Sequence, residues 1–101
     1  MLFRSLLFLQ RKADEAFAAF EEAIRLDPSS YNAHYFYARD LFSAGRAEQA
    51  IPYYEAAEQL RPEEYQPPSM LTSALYSLGR DAEAREVVAR DRKSTRLNSS
   101  H

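Results

Sequence analysis

The 101-residue chain contains no cysteine and no tryptophan, and only two residues each of glycine and histidine. Without cysteine, disulfides, thiolate catalysis and cysteine-based metal sites are excluded. Valine and threonine, which favour strands, are scarce, whereas alanine is abundant. With 46% hydrophobic residues and so little glycine, the composition predicts a folded, mostly helical chain with little or no sheet.

The net charge is small and negative. Thirteen Lys and Arg residues against fifteen Asp and Glu residues give a formal charge of −2, which argues against nucleic acid as a partner. The apolar stretch within residues 1–10 is too short to span a bilayer and lacks a small-residue cleavage site. We therefore predict no targeting or membrane segment and no membrane partner. Because a chain without cysteine suits a reducing compartment, we expect a cytoplasmic location.

A pattern of small, large and proline residues repeats at an interval of 34 residues. The series Ala16, Phe20, Ala23, Leu26 and Pro28 recurs as Ala50, Tyr54, Ala57, Leu60 and Pro62. In both copies the two alanines and the aromatic residue between them follow the spacing i, i+4, i+7, which places them on one face of a helix. Alanines let neighbouring helices approach closely, and the aromatic ring fills the space between them.

The period and these residue types resemble the tetratricopeptide-repeat (TPR) family, whose unit is a helix–turn–helix of this length. The resemblance covers nearly all of residues 6–90 and is closest from Gly45 to Pro62. It implies an all-α solenoid of antiparallel helix pairs, wound into a right-handed superhelix, with about two and a half repeats. The first repeat supplies its second helix (residues 13–26), the second repeat spans residues 31–60, and the third spans residues 65–90.

Glycine and proline predict where the helices end. Gly45 and Gly79 can adopt the left-handed conformation that reverses one helix into its partner. Pro28 and Pro62 end the second helices, because the residue before proline is pushed out of the helical region. Arg11 stands where the other repeats have glycine, so the first turn is less ideal. The predicted helices are Ala13–Leu26, Tyr31–Ala44, Ala47–Leu60, Pro67–Leu78 and Asp81–Arg90, with a partial helix at the N-terminus.

Both ends of the chain look foreign to the repeat. Residues 91–101 read without a gap as the translation of a widely used sequencing-library adapter, and residues 1–5 as the opposite adapter read from a GTG start codon. The repeat pattern also fails there, since Asp91 stands at the small buried position of Ala23 and Ala57. We therefore expect the genuine sequence, residues 6–90, to be a metagenomic fragment of a longer bacterial protein. The alternative for the C-terminus is an ordinary polar, disordered tail.

The residues that could carry catalysis have simpler structural roles. His34 occupies a repeat position where the family often has a large aromatic residue packed between helices, so we predict packing for it. Carboxylates such as Glu21 fall on helix surfaces, where Glu21 and Arg25 are spaced for an i,i+4 pair. A single histidine within the repeats cannot build a His-based metal site or a Ser/His/Asp triad. We therefore predict that the chain is not an enzyme and binds no metal or cofactor.

By the geometry that the resemblance implies, the first helix of each repeat lines a concave groove. The groove positions in the second repeat are Asn32, Tyr35, Phe36, Arg39 and Phe42, and those in the third are Gln66, Ser69, Met70, Ser73 and Tyr76. An aromatic groove with one cation suits an extended or helical peptide with apolar anchors. The alternative is that Tyr35, Phe36 and Phe42 pack against the adjacent repeat. Tyr37 and Leu41 are predicted to face the partner helix.

We therefore predict a protein–protein interaction scaffold that binds a peptide or protein segment in this groove. A second hypothesis is a regulatory TPR segment of a larger bacterial signalling enzyme, such as a cyclase, kinase or glycosyltransferase, whose catalytic domain lies outside the chain. The stretch from Arg61 to Pro67 is similar to repeats of such proteins. A third is non-native self-association through uncapped ends of the solenoid.

Overall fold

The computed structural model describes the backbone of residues 2–99 and the side chains of residues 7–91. Met1, Ser100 and His101, which belong to the two predicted adapter-derived ends, lie outside the described residues. Residues 2–99 form five helices and contain no strand, which confirms the all-α prediction. The helices are α1 (Leu2–Leu26), α2 (Tyr31–Ser43), α3 (Ala47–Leu60), α4 (Gln66–Ser77) and α5 (Asp81–Ser99).

Each helix packs against the next one along the chain, and α2 also touches α4. The pairs α2/α3 and α4/α5 are therefore the second and third repeats, and α1 supplies the second helix of the first. The resulting array is elongated, with principal extents of 56 × 33 × 17 Å. An elongated array of helix pairs that contact only their neighbours is the architecture of a solenoid.

The two glycine turns are copies of one another. Gly45 and Gly79 have φ values of 80° and 76°, in the left-handed region that side chains disfavour. In the first turn the Arg46 N–H donates to the Leu41 carbonyl at 2.9 Å, and in the second the Arg80 N–H donates to the Leu75 carbonyl at 2.9 Å. Both predicted turns are confirmed.

A serine and two prolines set the starts of the first helices of the repeats. The Ser30 side chain accepts a hydrogen bond from the Ala33 N–H at 3.2 Å and so caps α2. Pro67 and Pro68 lie in the first turn of α4, where a backbone N–H is not needed inside the helix. Helix α3 continues unbroken past Pro52.

The end of α2 and both ends of α4 differ from the prediction by one residue, whereas the predictions for the start of α1 and the end of α5 are wrong by about nine residues or more. The turn expected near Arg11 does not form, and α1 runs unbroken from Leu2 to Leu26. Both positive φ values in the described chain belong to glycine, and at this position the chain has arginine instead. Helix α5 does not end at Arg90 but continues to Ser99, because no glycine or proline follows Arg80 to stop it. The alternative of a disordered tail therefore does not hold for residues 91–99.

The core consists of the small and large residues that the repeat pattern singled out. Ala50, Tyr54 and Ala57 of α3 are each 0% exposed, and so is Ala84 of α5. Leu41 and Tyr37 of α2 are 1% and 5% exposed, which confirms that they face the interior. Helices can approach this closely because alanine occupies the contact points.

Tyr37 joins three helices. Its ring centroid lies 5.7 Å from that of Phe20 on α1 and 4.5 Å from that of Tyr53 on α3. Its hydroxyl donates a hydrogen bond to the Glu21 carboxylate at 2.6 Å. The predicted pair of Glu21 with Arg25 is therefore wrong. Arg25 instead donates to Glu22 at 2.9 Å, one helical turn away on the exposed side of α1.

Tyr54 differs from Tyr37 in the hydrogen bonding of its hydroxyl group. Its hydroxyl is inaccessible and has no hydrogen-bond partner among the described residues. The equivalent residue of the first repeat is Phe20, which has no hydroxyl. A buried polar group without a partner costs free energy that an apolar group of the same shape does not.

We expect the same substitution at these two tyrosines to change stability in opposite directions. Tyr54→Phe removes an unpartnered hydroxyl and should raise the free energy of unfolding by about 1 kcal/mol. Tyr37→Phe removes a partnered hydroxyl and should lower it by about 1 kcal/mol or more, since Glu21 loses its donor. Urea denaturation followed by circular dichroism measures both. A loss of stability in Tyr54→Phe equal to that in Tyr37→Phe would contradict this account.

The same tyrosines should make the fold sensitive to alkaline pH. Burial raises the pKa of both phenols above the ordinary value of 10.0, and for Tyr37 the hydrogen bond to Glu21 adds to the shift. Because the unfolded chain loses these protons first, this stabilisation is complete below about pH 10 and is lost as the pH rises through the folded-state pKa values. Each phenol contributes a slope of up to about 1.4 kcal/mol per pH unit.

Urea denaturation across this alkaline range tests the assignment. The double variant Tyr37→Phe/Tyr54→Phe should flatten the decline in the free energy of unfolding. Tyr65→Phe, which alters an exposed ring, is the matched control and should keep the wild-type decline. An unchanged slope in the double variant would show that other groups cause the alkaline loss.

Candidate partner-binding surface

The predicted groove positions form two matched stripes on neighbouring helices. On α2 and on α4 they follow the spacing i, i+3, i+4, i+7, i+10, which keeps them on one side of each helix. Helix α2 touches α4, so the two helices that carry the stripes are neighbours. We call the two stripes together the groove surface, which consists of Asn32, Tyr35, Phe36, Arg39 and Phe42 on α2 and Gln66, Ser69, Met70, Ser73 and Tyr76 on α4.

Most of the groove surface is accessible to a partner. Two of its aromatic rings are exposed, Phe36 by 38% and Tyr76 by 47%. Phe42 and Met70 are half-buried and pack against the core. The remaining exposed members are polar or charged and are Asn32, Arg39, Gln66, Ser69 and Ser73.

Tyr35 differs from the other groove positions because it belongs to the core. Its side chain is only 8% exposed. The ring stacks on Tyr31 one turn away, with centroids 5.8 Å apart and planes 4° apart, and meets the Tyr54 ring edge-on at 6.1 Å. The alternative of packing therefore applies to Tyr35, and the surface open to a partner begins at Phe36, whose ring lies 5.5 Å from that of Tyr35.

Arg39 is the one cation of the groove surface, and none of the ten positions carries a carboxylate. The guanidinium lies over the Phe36 ring at 4.9 Å from its centroid, a cation–π contact that holds the charge beside the exposed ring. Within the described side chains Arg39 forms no ion pair with a carboxylate. An accessible aromatic face and an accessible positive charge thus stand next to each other.

His34 lies behind this surface rather than on it. The side chain is 8% exposed, and its Nε2 donates a hydrogen bond to the Pro28 carbonyl at 2.9 Å. The imidazole ring also lies 6.0 Å from the Tyr53 ring. These contacts fix the loop before α2 against the helices and confirm the packing role.

One exposed aromatic residue near the groove surface escaped the sequence analysis. Tyr65, at the start of α4, is 69% exposed. Its equivalent 34 residues earlier is Tyr31, which is buried under the Arg61 guanidinium at 4.7 Å. Arg61 belongs to the loop that follows α3, and no corresponding loop follows Tyr65 in residues 66–91. The repeat interval itself could have identified Tyr65 as the position where that cover is missing.

Two features that the described residues lack bear on the class of site. No group of three or more His, Cys, Asp or Glu side chains in the described part of the chain is arranged to hold a metal ion. None of the five helices, over the residues described, combines the length and apolarity needed to span a bilayer.

Comparison with known families gives two overlapping matches. A sequence model of the tetratricopeptide repeat matches residues 1–65, and a second model with the same description matches residues 41–100. The first match alone covers more than half of the chain. A search of curated proteins finds no match.

Proposed function

Because the chain belongs to the tetratricopeptide-repeat family, we propose that it is a non-catalytic scaffold that binds a peptide segment of a partner protein on the groove surface. TPR repeats generally mediate protein–protein interactions, and TPR domains are typically non-catalytic. Burial and charge on α2 and α4 support the choice of this surface. The exposed ring of Phe36, held beside Arg39, is the observation that carries the proposal.

An exposed aromatic ring on a rigid helix is a suitable anchor for a partner. Aromatic residues near the centre of an interface often contribute a large share of the binding free energy. Covering the exposed part of Phe36 would contribute on the order of 1–2 kcal/mol. Phe42 and Met70, half-buried on α2 and α4, add apolar surface among the groove positions.

The charge of the groove surface selects the chemistry of the partner. Arg39 has no carboxylate partner among the described side chains, so an incoming Asp, Glu or C-terminal carboxylate can pair with it without displacing an internal contact. We therefore propose a partner segment that places an apolar side chain against Phe36 and a carboxylate against Arg39. The segment can be extended or helical, since both lie along a helical groove.

A displayed library of random linear peptides, selected on the intact chain, tests this proposal. We expect enriched peptides to combine aromatic or aliphatic residues with acidic ones. Phe36→Ala should weaken binding of such a peptide about tenfold or more, as measured by fluorescence anisotropy. Arg39→Glu should weaken it similarly and should favour a peptide in which lysine replaces the acidic residue.

Two exposed residues away from the groove surface serve as matched controls. Leu26→Ala removes an apolar side chain that is 70% exposed at the end of α1, and Arg85→Glu reverses a charge on α5. Both should leave peptide affinity unchanged. The groove assignment is wrong if the control substitutions weaken binding and those at Phe36 and Arg39 do not.

The alternative of a regulatory segment within a larger signalling enzyme stays a prediction. It concerns domains that lie outside this chain, and the same groove surface would then bind a segment of the same protein.

A further inference from the structure

The N-terminal part of α1 exposes a residue that the repeat elsewhere buries. Leu7 is 52% exposed. The residues at the same repeat position are Leu41 and Leu75, which are 1% and 3% exposed and lie in the core. Residues 2–10 therefore correspond to the end of a repeat's first helix, but no described helix packs against Leu7.

The surface that such a helix would cover is also open. Ala16 is half-buried, whereas its equivalents Ala50 and Ala84 are 0% exposed. Helix α5 contacts only α4, the first helix of its own repeat, and this is enough to bury Ala84 completely. Helix α1 contacts only α2, from the following repeat. Ala16 is thus left partly uncovered on the side where, in the third repeat, α4 covers Ala84.

A cavity marks this uncovered place. It has a volume of about 260 Å³ and lies between α1 and the end of α2. The residues that line it are Ala13, Ala16, Phe17, Asp40, Ser43 and Ala44. The chain therefore carries both an exposed core leucine and an apolar site of the kind that receives this leucine in the other repeats.

The continuous helix α1 keeps these two parts of one chain apart. In the other repeats the glycine at 45 or 79, with positive φ, folds the first helix back onto the second. Arg11 stands at this position, and arginine disfavours the left-handed conformation because its Cβ meets the following carbonyl. Residues 2–10 therefore extend straight from Ala13 instead of folding back over it.

We propose that two copies of this chain exchange their N-terminal segments, residues 2–10. Leu7 of each copy covers Ala13 and Ala16 of the other, in the place that a first helix would take. The arrangement is symmetric and closed, because each copy gives and receives the same segment. A second copy is the occupant because Leu7 has the side chain that fills this core position in the other repeats. Within one copy the continuous helix α1 keeps Leu7 away from the cavity beside Ala16, so the leucine must come from another copy.

The exchange would also extend the groove surface. Phe8 is 58% exposed and stands 34 residues before Phe42 and 68 before Tyr76, both groove positions. The partner copy's segment would place Phe8 beside α2 as a third position in this series. The exchange requires no ligand on the groove surface.

Light scattering coupled to size-exclusion chromatography tests the exchange on the intact chain. We expect a mass of twice 11.6 kDa, with helical content checked by circular dichroism. Leu7→Asp should produce monomers and weaken the dimer on the order of a hundredfold or more, because a symmetric dimer contains the substitution twice, once in each copy. Leu9→Asp is the matched control, since Leu9 is 61% exposed and its equivalents Ser43 and Ser77 are exposed in the fold. It should leave the dimer intact.

A second substitution tests the hinge without removing any apolar residue. Arg11→Gly restores the turn residue and should convert the dimer into a monomer in which the segment folds back on its own chain. Glu15→Gly places glycine at an exposed position of α1 away from the turn and should remain dimeric. A wild-type chain that stays monomeric at all concentrations overturns the proposal. Equal dissociation by Leu7→Asp and Leu9→Asp would also overturn it, since it would indicate a non-specific apolar patch.

Discussion

The close approach of neighbouring helices at alanine is the contact on which the rest of the structure depends. Ala50, Ala57 and Ala84 are completely buried, and a larger side chain at any of them would push the adjoining helix away. The spacing set at these points brings α2 and α4 into contact. The two helices that carry the predicted groove positions are therefore held at this distance by small residues on the second helices of the repeats.

The tyrosines fill the space that the alanines leave. Their hydroxyl groups differ in whether they have a hydrogen-bond partner. The Tyr37 hydroxyl donates to a carboxylate on a different helix, so a directional hydrogen bond is added to the apolar contact between α1 and α2. Tyr54, in the middle of the array, has no partner among the described residues. The packing thus depends on ring volume first, and a polar contact is satisfied only where a neighbouring helix surface supplies an acceptor.

The repeat interval made much of the fold predictable from the sequence. It gave the limits of α3, the two glycine turns and the core roles of Tyr37 and Leu41. It could not show that α1 is continuous. The interval indicates where a turn is expected, but the type of residue at that position, here Arg11, decides whether the turn forms. Nor could it place Tyr35, whose burial depends on rings from Tyr31 and Tyr54. Periodicity assigns a residue to a helix face, but the neighbouring helices decide how much of that face stays open.

The pattern of contacts between the helices also bears on how the chain folds. Almost every contact joins elements adjacent in sequence, so contact order is low and folding is expected to be fast. Helix α3 is flanked by α2 and α4, whereas α1 and α5 each have one neighbouring helix. In a linear array of repeats, each interface between neighbouring helices adds its own contribution to the free energy of unfolding. Within a single copy, fraying should therefore begin at α1 and α5, and the amide protons of α3 should be the last to exchange with solvent.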